Sequence, residues 1–340
     1  MAENVVDRIV AELRTRAPEF FPGQGSAKNV RVVGHTPKPE HFIHEIVVDF
    51  ETGSARLAAK VYRGAKSGSA KAITAAKTET ENLNFAHSIF AKKHLEGVPR
   101  PIGDFSSLGA VVAEKHLGVP LQSLIMKAAL LPGYAENGTI TLAATMTGHW
   151  LRNFHKATAA APVSFDAAKV LAQLETLCQA CKSDGLDDDA IRTIMAGSRK
   201  ALSSNRKTLP GAAVLVDFTP LNVSVGDQGV SVCDFAKMSK HGSALDDAAH
   251  FLACIEALEK YPFCNRAITA TVQDCFLDAY GASHSDRSVL RVLKMRELLA
   301  MFAQGRAGAK ESAVRKKVMW ANVMKKFIQQ AAQRAMAPAA

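Results

Sequence analysis

Apolar residues recur at helical spacing from Val5 to Leu13, and the pattern then switches to strand character. Val30–Val33, Phe42–Phe50 and Arg56–Tyr62 read as strands, and Thr52-Gly53 between the last two marks a hairpin turn. Ala70 to Leu95 returns to a helical pattern, which Gly97-Val98-Pro99-Arg100-Pro101 breaks. Two short strands are expected around Ile102–Phe105 and Ala110–Lys115. After Gly118 the texture changes. Leu121–Ala129, Thr141–Ala157, Ala167–Lys182 and Asp188–Ser203 read as helices, interrupted by strands at Ala213–Val216, Val223–Val225 and Val230–Asp234. From Asp246 onward the pattern is almost wholly helical. A β-rich first third followed by an α-rich remainder predicts a two-lobed α+β arrangement with a cleft, divided into residues 1–115 and 116–340.

Composition narrows this only slightly. Of 340 residues, 48% are apolar and 22% charged, which is globular rather than disordered usage. No stretch has the uninterrupted apolar length of a membrane span, and Met1–Arg16 lacks the apolar core of a signal peptide, so a cytoplasmic protein is expected. The six cysteines are scattered. Cys178 and Cys181 form a C-x-x-C inside a helical stretch with no second pair, so helix-face thiols are expected rather than zinc. The net charge of +10 is uneven: Lys310 to Met336 carries seven cations and one anion.

The chemistry concentrates late in the chain. Asp217 and Asn222 stand five apart in Leu215-Val216-Asp217-Phe218-Thr219-Pro220-Leu221-Asn222, and Asp234-Phe235 follows twelve residues later. One carboxylate to meet an attacking hydroxyl, with an amide and a second carboxylate to hold a divalent metal, is the spacing of a phosphoryl-transfer site. The stretch resembles the catalytic loop and metal-binding strand of the aminoglycoside phosphotransferase and choline kinase family, the small-molecule branch of the protein-kinase-like fold. The resemblance extends from about Val30 to Leu258 as ordered fragments.

That resemblance implies a two-lobed protein-kinase-like fold, with a small β-rich N-lobe and a larger, mainly helical C-lobe. It also implies ATP and Mg²⁺ as cofactors and an alcohol acceptor. Lys60, in Ala58-Ala59-Lys60-Val61-Tyr62, is similar to the strand lysine that grips the nucleotide phosphates. Glu79, preferred over Glu81, matches the helix glutamate that pairs with it. Val111–His116 resembles the hinge beside the adenine, which brings in Glu114 and His116. Trp150–His155 resembles the helix that ends in a histidine before the catalytic loop. Asp217 would take or orient the acceptor proton, and Asn222 and Asp234 would bind Mg²⁺. Asp247, with Asp246 as the alternative, would brace the catalytic loop.

Two positions depart from the family pattern. Leu215 and Val216 stand where a histidine and often a glycine are usual. The candidate nucleotide-covering loop, Gly34 to Glu40, has one glycine and two prolines, and could not fold over phosphates as a glycine-rich loop does. Asp247 lies only thirteen positions after Asp234, too close for a peptide-presenting platform, so a small-molecule or lipid acceptor is expected. These departures also leave open a pseudokinase or nucleotide-binding scaffold.

Several other motifs read more plainly. Gly64–Lys71 has the wrong spacing for a phosphate-binding loop. Asp187 reads as the cap of the helix that follows it. In the basic tail Val314, Val318, Ala321, Met324, Ile328 and Ala331 form one apolar stripe, as for a last helix packed on the large lobe or for a peripheral contact with an anionic membrane. A basic chain argues against a polycationic acceptor. The tail tips the acceptor towards a lipid alcohol of the ceramide or diacylglycerol type, with a soluble sugar, amino alcohol or antibiotic as the alternative. Nucleic-acid binding is not expected, because only Trp320 and Phe327 supply aromatic rings there.

Overall fold

The computed structural model describes residues 5–131, 137–203, 206–261, 263–310, 314, 318 and 320–336. In chain order the elements are α1 (Val5–Thr15), α2 (Ala17–Phe20), β1 (Asn29–Pro37), β2 (His41–Asp49), β3 (Ser54–Tyr62), α3 (Ala70–Lys92), β4 (Ala110–Glu114), β5 (Val119–Pro120) and α4 (Leu121–Leu130). Next come α5 (Asn137–Ala157), β6 (Ala160–Ser164), α6 (Ala167–Lys182), α7 (Asp188–Ala201), β7 (Thr208–Val214), β8 (Val223–Gly226), β9 (Gly229–Val232) and β10 (Ser239–Ser243). The chain ends in α8 (Ala244–Ala257), α9 (Arg266–Tyr280), α10 (His284–Lys310) and α11 (Lys325–Met336).

These elements form two compact units, Met1–Gly118 with Gly226–Met238, and Val119–Val225 with Ser239–Ala340. A single cut after residue 115 would leave Asp234 with the helical part; instead the segment carrying it groups with the first unit.

The first unit is built on an antiparallel sheet in the order β1-β2-β3-β4. Alternation along β3 buries Leu57, Ala59 and Val61, and leaves Arg56, Ala58 and Lys60 on the opposite face. The helix α1 packs on β1 and β2, and α3 packs on β3 and β4.

Two expectations fail here. Gly34–Pro37 is strand, not a loop: β1 carries a bulge between Val32 and Gly34, then pairs His35 with His44 and Thr36 with Ile43. The His35 ring stacks on Phe42 at 5.4 Å, which favours the extended pairing. The Ile102–Phe105 strand is reduced to one bridge, Pro101 to Ala113, beside the Ile102 N–H to Val112 carbonyl bond of 2.9 Å. Prolines at 99 and 101 cannot donate to a ladder.

In the second unit the helices enclose a chain of rings. Trp150 stacks on Phe154 and Phe218, Phe218 meets Phe251 at 5.2 Å, and Phe251 stacks on Phe276 at 4.4 Å. The close approach of α5 to α9 depends on Gly148, where a Cβ would lie 2.5 Å from the Phe276 carbonyl oxygen. A sheet in the order β10-β7-β6 lies in this unit, and β5 pairs with β8. Cys178 and Cys181 are both buried on α6, and the Asp187 carboxylate caps α7 by accepting from the Ala190 N–H at 2.8 Å.

The last helix belongs to this core. Met324, Phe327, Ile328, Ala331 and Ala332 are buried, and α11 packs against α7 and α10. Arg334 pairs with Glu259, and Gln329 Nε2 donates to Asp187 at 2.7 Å. Val314 and Val318 are exposed. Glu311 and Arg315, Lys316 and Lys317 lie outside the described residues, as do the side chains of Lys310 and Ala321. Among the described residues no helix is long and apolar enough to cross a membrane.

Candidate active site

In the first unit the strand β3 holds Lys60 rigidly, paired on one side with Ile43 and on the other with Val111. Its Nζ lies 3.0 Å from Glu79 Oε1 and 3.1 Å from Asp234 Oδ1. Glu79 is buried on α3, where its Oε2 also accepts from the Tyr62 hydroxyl at 2.6 Å. Glu81 points from the exposed side of the same helix. Burial opposes the Lys60 charge, but the Glu79 and Asp234 carboxylates outweigh it and leave the ammonium raised. Burial likewise works against ionised Asp234, and Lys60 with the Ala236 N–H pulls its carboxyl below the usual range. The arrangement fixes one cation between two carboxylates.

Asp234 owes its place to a residue the spacing did not flag. Asn82, buried on α3, donates its Nδ2 to the carbonyls of Phe235 and Met238, each at 3.0 Å. The Val232 N–H donates to the Gly97 carbonyl at 3.0 Å, which ties β9 to the turn after α3. Asp234 Oδ1 takes the Lys60 and Ala236 donors; Oδ2 has no partner among the described residues.

Glu114 and His116 do not join this cluster. Glu114 pairs across the sheet with Leu57 and takes two bonds from Arg100, at 2.9 and 2.7 Å. Both residues line a separate cavity of about 810 Å³ together with Phe21, Phe50, Arg56 and Asp227. His116 Nδ1 is buried without a hydrogen-bond partner among the described residues, and burial lowers the ring's pKa. Glu45, opposite Ala58 and so on the Lys60 face, pairs with Lys115 and with Arg56. The sequence held no signal for this charged group, because its members come from three separate segments.

In the second unit β7 leads into the loop Leu215–Asn222. Both oxygens of Asp247 accept from the Leu215 N–H, at 3.1 and 2.8 Å, and Oδ1 accepts from the Val216 N–H at 2.9 Å. His155 Nε2 lies 3.1 Å from Asp247 Oδ2, and its Nδ1 3.0 Å from the Tyr280 hydroxyl. Asp247 therefore holds the loop, while Asp246 pairs with Arg296. Leu215 is buried. Val216 adopts φ 65, a left-handed backbone suited to glycine.

The loop is anchored by Phe218, fully buried among the rings described above. Asn222 Nδ2 donates to the Asp217 carbonyl at 3.1 Å, which brings those two residues together and fixes the amide. The Asp217 carboxylate is about one-third exposed, with His250 Nε2 at 3.8 Å from its Oδ1. Among the described residues no three His, Cys, Asp or Glu side chains converge on a common metal position. A divalent ion carried on nucleotide phosphates needs fewer protein ligands.

This architecture can be set beside solved structures. A proposed aminoglycoside phosphotransferase from Ralstonia eutropha superposes with a TM-score of 0.56 at 13% identity, covering 97% of this chain and 97% of that one. A choline/ethanolamine kinase family protein from Mesorhizobium loti gives 0.52 at 15% identity, covering 97% of this chain and 100% of that one. The chain has the protein-kinase-like fold of small-molecule phosphotransferases. The amicoumacin kinase hAmiN, solved with AMP-PNP and Ca²⁺, shares the fold at a TM-score of 0.52 and 13% identity, covering 96% of this chain and 95% of that one. No protein-family model and no curated protein sequence matches the chain. In this protein-kinase-like frame the β-sheet unit carries Lys60, Glu79 and Asp234, and the helical unit carries Asp217 and Asn222.

Proposed function

We propose that the protein is an ATP-dependent phosphotransferase that moves the γ-phosphate to a hydroxyl of a small, soluble molecule. The observation that carries this reading is Lys60 held between Glu79 and Asp234. A strand-mounted cation whose partner sits on a helix is suited to the nucleotide phosphates. The neighbours of this fold include a kinase solved with AMP-PNP and Ca²⁺, which supports a nucleotide and a divalent ion as the cofactors.

In this reading Lys60 binds and orients the α- and β-phosphates, and Glu79 holds the lysine in place. Asn222 and Asp234 hold Mg²⁺, which when bound neutralises charge on the phosphate oxygens. Asp217 accepts or orients the proton of the acceptor hydroxyl. Positioning and charge complementarity supply most of the rate, since phosphoryl transfer asks little covalent chemistry of the protein.

The acceptor is read as a soluble alcohol rather than a lipid. Half of the tail stripe that favoured a lipid, namely Met324, Ile328 and Ala331, is buried within the second unit, while Val314 and Val318 are exposed.

Incubation of the protein with labelled ATP, Mg²⁺ and a cell extract, followed by aqueous and organic partition, tests both points. Label is expected in the aqueous fraction. Asp217→Asn should abolish transfer while nucleotide still binds, and Asp234→Asn should lose Mg²⁺-dependent nucleotide binding. Full transfer by both variants would overturn the site. Label confined to the organic fraction would restore the lipid acceptor.

A further inference from the structure

The helix α5 ends beside a second cavity, of about 310 Å³, that lies wholly within the second unit. Its wall carries five polar side chains: Arg152, His155 and Lys156 of α5, Tyr280 at the end of α9, and Asp286 in the first turn of α10. Three of them are already engaged. His155 meets Asp247 and Tyr280, and the Tyr280 hydroxyl donates to the Ala244 carbonyl at 3.2 Å. Asp286 accepts from Arg206 Nη1 at 2.7 Å and from the Ser283 hydroxyl at 2.6 Å. Arg152 and Lys156 make no hydrogen bond or ion pair among the described residues.

Those two cations stand four apart on one helix face, where like charges disfavour the helix. A cation in the last turn is favoured by the helix dipole, which accounts for Lys156 but not for Arg152, one turn earlier. Arg152 is also half-buried. Its guanidinium is set against backbone: Gly281, at φ 77, has no side chain, and a Cβ there would lie 3.3 Å from Arg152 Cζ. A planar fork of five donors, partly withdrawn from water and given no acceptor by the described residues, is arranged for an acceptor from outside. Arg206 neutralises Asp286, so the charge balance of the wall is positive. The volume falls at the lower end of the range for small-molecule sites, about 300–1,000 Å³, and leaves room for carbon atoms beside one oxyanion.

We infer that this cavity binds a small phosphate monoester, its phosphate held by the Arg152 fork and the Lys156 ammonium. The inference goes beyond the phosphotransferase reading and does not depend on it, since neither Asp217 nor Asn222 lines the cavity.

Calorimetric titration at low salt, with glycerol 3-phosphate, inorganic phosphate and glycerol as probes, tests it. Glycerol 3-phosphate should bind the wild-type chain and glycerol should not. Arg152→Gln should weaken the ester by about ten-fold or more, and Lys156→Glu by about three-fold or more. Lys60→Met should leave that affinity within about two-fold, because additivity holds for separate sites. No binding of the ester to wild type, or an unchanged Kd in Arg152→Gln, would overturn the inference. So would loss of the ester from a folded Lys60→Met, which would place the phosphate at Lys60 instead. Inorganic phosphate that binds as tightly as the ester would overturn the monoester as ligand. If Arg152→Gln melts early, Lys156→Glu at its exposed position decides, and an unchanged Kd there overturns the inference.

Discussion

The Asn82 amide donates to the Phe235 carbonyl at 3.0 Å in a buried position, which joins α3 to the segment that carries Asp234. The same nitrogen donates to the Met238 carbonyl. Glu79, on the same helix three residues earlier, holds Lys60. One helix therefore sets both the lysine and the second carboxylate. Asn82→Ala would strand two buried carbonyls, each a desolvation cost of about 1–3 kcal/mol. The expected outcome is a fall in stability of about 2–4 kcal/mol and weaker Mg²⁺-dependent nucleotide binding. Urea denaturation and nucleotide titration check the two parts.

Val216 supplies a prediction of opposite sign. Its φ of 65 places a β-branched residue in the left-handed region, where Cβ crowds the following carbonyl. That strain costs about 1–2 kcal/mol, and glycine gives back about 0.5–1 kcal/mol through chain entropy. The side chain is half exposed, so its removal loses little packing. Val216→Gly should therefore raise stability by about 0.5–1 kcal/mol. Thermal melting reads this directly, and a lowered Tm would show that the loop holds Val216 without strain.

How much of this was legible in the sequence depended on how local each signal was. Lys60, Glu79 and Asp234 stood out because the fragments that carry them resemble those of a known family, and β3 and α3 formed where the strand and helix patterns lay. Asp247 stood out because its surroundings, Ala244 to Ala253, resemble the family helix that braces the catalytic loop. Asn82 did not, because its partners lie far away in the chain and nothing local marks an amide as a tie. The Gly34–Pro37 segment was misread for a different reason. Glycine and proline signal a loop locally, but pairing with Phe42–Glu45 across a bulge overrides that preference.

His41 predicts a pH response. It lies opposite Tyr62 on the sheet, and burial first, then the charge of Lys60, lowers its pKa to about 4. Burial also lowers His44. A histidine depressed in the folded state binds fewer protons than it does in the unfolded chain between its two pKa values. Its contribution is therefore complete above the ordinary value near 6.5, and is lost as pH falls towards 4. Without nucleotide or metal, stability should drop over that window, and His41→Gln should flatten the slope. Urea midpoints between pH 7 and pH 4 measure it; identical slopes in both proteins would remove His41 as the cause.

The tail decides between two uses of one amphipathic pattern. A helix lying on a membrane keeps its apolar face free in solution, whereas a packed helix spends that face on its own protein. In α11, Ile328 and Ala331 are fully buried and Phe327 nearly so, and Arg334 pairs with the buried Glu259. Ile328→Ala should cost about 2–5 kcal/mol, as expected for a truncated core side chain. Lys325→Glu with Lys326→Glu, at exposed positions, should change stability by less than about 0.5 kcal/mol. If packing is the use of this face, wild-type protein should not sediment with vesicles containing anionic lipid, and the double charge reversal should leave that result unchanged. Strong sedimentation that the reversal abolishes, together with a mild Ile328→Ala, would mean that the face opens to the membrane.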